Sequence, residues 1–283
     1  MLQRTHRIVA NGLTHFVSDR GPIDGPASIL LHGFPDSHAL WDKTTPALTA
    51  AGFRVLAPDL RGFGETDMAA SVADYDIETG AAPDVLALLD ALGIYRAHLV
   101  GHDFGSPVAW ALAATAPSRF QTLAALSVGH PKAYLAAGLE QKLRSLYIVY
   151  HQFVGLCEAT YRAFDWALVR RNLSPNGDTE AAIRALARPG RLTAGLNWYR
   201  SNVSLSRIAS GRSVFGAVGH VAIPTLGVWS RGEPYLVEAQ MENSGLFVDA
   251  PWKYARIDGA GHWIPYDAPD ALAALLLSHW RKA

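Results

Sequence analysis

Among 283 residues the chain has one cysteine, Cys157, so no disulfide can form within it. No base is evident beside that thiol, and Cys157 reads as a small core residue rather than a nucleophile. Charge of one sign is not in excess, since 25 Lys and Arg balance 25 Asp and Glu. That balance excludes the basic footprint of a nucleic-acid binder and the polybasic patch of a membrane-surface protein. Long hydrophobic runs are missing too. The run over residues 271–277 is far below bilayer length, and residues 1–7 hold no apolar leader. Repeats and low-complexity tracts are absent. The expectation is a soluble, cytoplasmic protein with no nucleic-acid or membrane partner.

What the chain does have is apolar residues, 49% of the total, enough for a large core. They are arranged as alternating strands and helices. Residues 7–9 and 14–17 flank Asn11-Gly12, a hairpin signal. Short, largely apolar strands follow at 28–31, 54–57, 97–100 and 122–128, with helical stretches between them. Pro83 lies inside the helical stretch 76–92, so regular helix can begin only there. This pattern predicts an α/β fold with a mostly parallel, doubly wound sheet. From about His130 to Val221 no strand is evident. Helical stretches at 139–156, 161–171, 179–187 and 193–202 predict an all-helical insertion of about ninety residues. The sheet resumes at 224–230 and 252–257, and a helix over 270–281 closes the chain. The division is therefore a core of 1–129 and 222–283, with an inserted cap of 130–221.

The stretch Gly101-His102-Asp103-Phe104-Gly105 sits between a strand and a helix. Strand, tight turn and helix are the context of a nucleophile elbow. Such a turn has no room for Cβ atoms beside its central residue, which it pushes out above the sheet. That residue is Asp103, where a serine is usual. The bland alternative is that Asp103 only caps the helix. Two further polar residues fall at the carboxyl ends of later strands: Glu233 in Ser230-Arg231-Gly232-Glu233, and His262 in Gly261-His262-Trp263. The chain order is nucleophile, acid, base. Asp249 and Asp258 are weaker candidates for the acid. A carboxylate nucleophile suits attack on saturated carbon, because the resulting ester can be hydrolysed where a serine ether could not. His262 would deprotonate the water, and Glu233 would orient its ring. Backbone N–H groups of Phe34 and Phe104 are the candidate oxyanion donors, with a cis Phe34–Pro35 bond. Asp59 reads as structural, pinning the neighbouring loop through Arg61.

His32-Gly33-Phe34-Pro35-Asp36, the Asp103 elbow and Gly261-His262-Trp263 together resemble an epoxide hydrolase of the α/β-hydrolase superfamily, in its aspartate-nucleophile branch. The similarity covers nearly the whole chain. It implies the α/β-hydrolase fold with a helical cap, and hydrolysis of an epoxide to a vicinal diol without metal or cofactor. Leu196-Asn197-Trp198-Tyr199-Arg200 resembles the family's second lid-tyrosine motif, and Tyr147 matches the first, with Tyr150 one helical turn away as its alternative. The resemblance implies that two such tyrosines protonate the opening epoxide oxygen. The family's usual acid is aspartate, and Glu233 departs from that. Candidate substrate contacts are His32, Pro35, Trp41, Tyr150, Trp198 and Trp263, for a small apolar or aromatic epoxide. A homodimer stays open. Two alternatives are carried. A dehalogenase would share the Asp nucleophile, but the side chains of Phe34 and Phe104 lack the indole or amide N–H donors that hold a halide. A silent ligand-binding protein would be expected to have lost a member of the triad.

Overall fold

The computed structural model describes residues 3–204 and 218–281. Eight strands form one sheet in the order β1-β2-β4-β3-β5-β6-β7-β8. They are β1 (Gln3–Ala10), β2 (Leu13–Arg20), β3 (Ala27–Leu31), β4 (Arg54–Pro58), β5 (Ala97–His102), β6 (Phe120–Leu126), β7 (Thr225–Ser230) and β8 (Trp252–Ile257). β2 runs antiparallel to both β1 and β4, and the other pairings are parallel. The expected hairpin at Asn11-Gly12 is present, with both strands longer than its apolar residues suggest. Polar residues extend them, because β1 is an edge strand, half-buried on one face and exposed on the other.

Strand side chains alternate between two apolar layers, as a two-residue period requires. Ile29, Leu31, Leu99, Leu123 and Ala125 join one core cluster. Leu30, Val100, Ala124, Leu126 and Val228 join the other. Both faces are thus covered, which is why β3 to β7 read as nearly continuous apolar runs. Each such Leu contributes about 2 kcal/mol by leaving water.

Helices α1 (Thr45–Ala50), α2 (Ala82–Ala91) and α3 (Gly105–Thr115) belong to the core. A single π turn, Ile77–Ala81, precedes α2, so regular helix starts beside Pro83 as expected. Between β6 and β7 lie α4 (Pro131–Ala136), α5 (Gly138–Arg144), α6 (Leu146–Tyr150), α7 (Leu156–Asn172), α8 (Thr179–Ala187) and α9 (Arg191–Asn202). The expected single helix over 139–156 is instead broken into pieces. Ser145 carries ψ near 3° and Gly155 has φ 81°, neither of which continues a helix. α7 is itself kinked at Ala163–Trp166, where three residues in a row have positive φ. The part of the expected insertion at 205–217 lies outside the described residues. Among the described residues no helix is long and apolar enough to cross a membrane.

Candidate active site

β5 ends at His102 and α3 begins at Gly105, leaving two residues to reverse the chain. Asp103 makes that turn at φ 49°. A non-glycine residue there costs about 1–3 kcal/mol, which the surrounding packing must hold. The glycines allow it. A Cβ on Gly101 would strike the Gly105 backbone, and one on Gly33 would strike the Asp103 carboxylate and the Phe104 nitrogen. Two loops therefore close on Asp103 with hydrogen atoms as their only side chains.

The Phe34 N–H donates to Asp103 Oδ1 at 2.7 Å, and the Phe104 backbone also hydrogen-bonds this carboxyl. The Phe34–Pro35 bond is cis. Oδ2 of Asp103 lies 3.4 Å from His262 Nε2, and His262 Nδ1 lies 2.6 Å from Glu233 Oε2. The three side chains are 14%, 4% and 0% exposed for Asp103, His262 and Glu233, so their charges meet in a weakly screened space. Burial works against the His262 imidazolium, but the Glu233 charge and the Asp103 contact outweigh it, and the net effect raises its pKa. Burial likewise opposes the Asp103 carboxylate. The His262 hydrogen bond and charge reverse that and hold its pKa below the usual range.

Backbone ties fix the His262 loop. The His262 carbonyl accepts from His102 Nε2 at 2.8 Å and from Ser127 Oγ at 3.1 Å. Ser230 Oγ donates to the Gly261 carbonyl at 2.6 Å. Glu233 Oε1 accepts the Tyr235 N–H at 2.9 Å, leaving Oε2 for the imidazole.

A cavity of about 390 Å³ opens over Asp103 and His262. Its walls include Phe34, Pro35 and Trp263 from the core loops, and Tyr147, Tyr199 and Leu168 from the inserted helices. Neither the Tyr147 nor the Tyr199 hydroxyl has a hydrogen-bond partner among the described residues, whereas the Tyr150 hydroxyl is engaged by Thr160 and the Leu156 carbonyl. Burial above all raises both the Tyr147 and Tyr199 phenols well beyond their ordinary value, and the nearby Asp103 charge adds to it.

The family described as alpha/beta hydrolase fold matches residues 26–269. This chain belongs to the alpha/beta hydrolase fold family. Epoxide hydrolase A of Mycobacterium tuberculosis is 32% identical, over 96% of this chain and 96% of its own. The AB hydrolase superfamily protein YfhM of Bacillus subtilis is 31% identical over 96% of both chains. The crystal structure of epoxide hydrolase A from Mycobacterium thermoresistibile superposes with a TM-score of 0.80 at 25% identity, covering 99% of this chain and 98% of that one. The expected resemblance is thus borne out, for the fold and for the kind of relative.

Three residues expected against substrate lie elsewhere in this hydrolase. His32 is fully buried and is not among the cavity's lining residues. Its Nδ1 donates to the Gly33 carbonyl at 2.8 Å and its Nε2 accepts the Leu60 N–H at 3.0 Å. Trp41 packs with Leu40 and Leu48 in the opposite core layer. Trp198 is fully buried and gives its indole N–H to the Arg61 carbonyl at 3.1 Å, with its ring 5.4 Å from that of Phe104. None of the three lines the cavity. Pro35, Tyr150 and Trp263 do line the cavity.

Asp59 does pin its loop, but not through Arg61. It accepts from the His38 N–H at 2.7 Å and the Glu65 N–H at 2.8 Å, while Arg61 pairs with Asp84. The alternative acids point away, Asp249 to His220 and Asp258 to Arg256. Two wall residues carry no sequence signal of their own. Tyr235 sets its ring edge against His262 at 5.2 Å, and His151 sets its ring 4.3 Å from Tyr199. The one hint is that Tyr235 stands two residues after Glu233.

Proposed function

We propose that this hydrolase converts an epoxide to a vicinal diol in two steps through an ester on Asp103. The observation that carries the reading is a carboxylate at the elbow, backed by His262 and Glu233 and faced by two free phenols. The relatives named above support the reaction.

In the first step an Asp103 oxygen forms a bond to a ring carbon, and that carbon's bond to the epoxide oxygen breaks. The leaving oxygen takes a proton from Tyr147 or Tyr199. A phenol with a raised pKa stays protonated at rest and is a donor when an alkoxide develops. In the second step water attacks the Asp103 carbonyl carbon, His262 takes its proton, and the C–O bond to Asp103 breaks to free the diol. The negative charge of that intermediate falls on the oxygen held by the Phe34 and Phe104 N–H groups.

The charges favour this order. At rest the Asp103 and Glu233 carboxylates hold the proton on His262. Esterification removes the Asp103 charge, so His262 yields its proton and becomes a base only once there is an ester to hydrolyse. The proton it gives up balances the one the tyrosinate takes back. Glu233 stays to stabilise the imidazolium as it re-forms.

The halide alternative gains no support from the indoles. Trp263 gives its N–H to Asp36 at 2.8 Å and Trp198 gives its own to Arg61, so neither is free to hold a leaving halide. In this reading residues 130–221 form the cap over a core of 1–129 and 222–283.

The deciding experiment is a single turnover of styrene oxide by excess enzyme in heavy-oxygen water. Ordinary oxygen in the new hydroxyl supports the ester route. Heavy oxygen there means direct attack by water and removes Asp103 as nucleophile.

A further inference from the structure

Asp103, Tyr147, Tyr199 and His262 line two cavities, not one. On one side of these four residues lies the space of about 390 Å³. On the other lies a space of about 30 Å³, walled by Phe104, Pro107, Val128, Ile148 and Leu236. The nucleophile and both phenols thus stand at a waist between two arms of very different size. A strained ring seated at that waist must send the substituent of one carbon into each arm.

Volume decides what each arm takes. A dry cavity of about 150 Å³ holds benzene, and about 10–15 Å³ holds one water. The large arm therefore exceeds one aromatic ring. The small arm admits a hydrogen or a methyl group and has no space for a ring. Its chemistry is equally restrictive. Apart from Asp103, His262 and the two phenols at the waist, its side-chain walls among the described residues are hydrocarbon with one further hydroxyl, that of Tyr134. Ser145 Oγ engages that hydroxyl at 2.6 Å. A charged or strongly polar group reaching past the waist would lose its water against the Val128, Ile148 and Leu236 side chains, which offer no replacement.

Resting on epoxide hydrolysis at Asp103, we propose that the enzyme selects epoxides with a large apolar or aryl group on one ring carbon and nothing larger than methyl on the other. Val128, Ile148 and Leu236 set the limit. They are buried at 6%, 6% and 5% exposure and have no solvent to retreat into. Close packing makes such walls resist an oversized group.

The test compares kcat/KM for styrene oxide, trans-β-methylstyrene oxide and trans-stilbene oxide. The first two are expected within about tenfold of each other, and stilbene oxide lower by about 100-fold or more. Leu236→Ala is expected to reduce the stilbene penalty roughly tenfold, and Ile148→Ala widens the same arm should Leu236→Ala fail to fold. The readout is a ratio of two substrates on one enzyme sample, so the amount of folded protein cancels. Wild-type enzyme that turns over stilbene oxide as well as the methyl compound overturns the size limit. So does a ratio that neither variant moves. No turnover of any of the three overturns the epoxide reading itself, and this proposal with it.

Discussion

The indole N–H of Trp263 donates to Oδ2 of Asp36 at 2.8 Å, joining the loop of the Phe34 donor to the loop of His262. Tyr266 adds its hydroxyl to Oδ1 at 3.1 Å. Burial nevertheless pushes the Asp36 carboxyl from 3.8 up to about 7. The folded state then binds this proton more tightly than the unfolded one, so the group's contribution to stability declines as pH rises through that window. Asp36→Asn removes one acceptor and should cost about 1 kcal/mol at about pH 5, with that cost gone or reversed at about pH 8. Denaturant melts at the two pH values check this. A cost that does not change with pH would contradict the raised Asp36 pKa.

Replacing the base should separate the two steps. His262→Gln removes the charge that keeps Asp103 ionised but keeps the Phe34 N–H on its carboxyl, so at alkaline pH Asp103 still attacks while nothing activates water. Diol release should fall about a thousandfold while the ester accumulates. Intact-mass measurement would show protein heavier by one epoxide, with the adduct on the peptide that contains Asp103. An unmodified mass after long incubation would contradict the order of steps.

Glu233→Gln should move a pH profile as well as a rate. Burial lowers the His262 pKa, and the Glu233 charge does most to oppose it. Without that charge the imidazole stays neutral to lower pH. The acidic limb of ester hydrolysis should therefore shift down by about one unit or more, while the plateau falls about 100-fold as the ring loses its orientation. Rapid-mixing single turnovers across pH measure both. An unmoved limb would mean that another group controls it.

The two phenols should matter in ring opening and not in ester hydrolysis. Tyr147→Phe and Tyr199→Phe are each expected to slow ester formation by about 100-fold, and the double variant by more. Pre-steady-state kinetics resolves the step. A Tyr199→Phe enzyme with unchanged ring opening would leave that ring a packing role only, against Phe104 at 4.6 Å.

Arg200 meets Glu158 at 2.8 Å and 3.1 Å, and both side chains are 6% exposed. The pair ties α9, which carries Tyr199, to α7. Arg200→Met would leave the buried Glu158 carboxylate without its cation, held only by the Gly155 N–H at 2.8 Å and the Thr193 hydroxyl at 3.2 Å, and should cost about 3 kcal/mol, seen as a lower Tm. Removing both charges, with Glu158→Met added, should recover much of that loss. Equal destabilisation by the single and double variants would show that the ion pair is not the cause.

The readable parts of this chain are those where backbone geometry forces the residue. The elbow glycines, the turn at Phe34–Pro35 and the loops after β7 and β8 declare themselves locally, and Asp103, Glu233 and His262 follow from them. Packing partners do not declare themselves. His32, Trp41 and Trp198 stand beside informative motifs, yet each turns its ring away from the cavity, because strand and helix direction decides facing. The choice between Arg61 and His38 as the Asp59 partner is likewise tertiary. Between Leu139 and Leu156 almost every residue tolerates a helix, so only three-dimensional packing reveals where the helix breaks.

Because the inserted helices stand between two neighbouring strands, the molecule has an order of assembly in time. Between Leu126 of β6 and Thr225 of β7 lie about a hundred residues, and these must be gathered before the strands can pair. Closing a loop of that length costs about 4 kcal/mol in chain entropy, which slows the last part of the sheet relative to the first. On the proposed reading, a chain emerging from the ribosome holds Asp103, the Phe34 and Phe104 N–H groups and both phenols while Glu233 and His262, which would release the ester, are still unmade. On that reading, until β7 and β8 dock it is a chain with the means to be alkylated and none to recover.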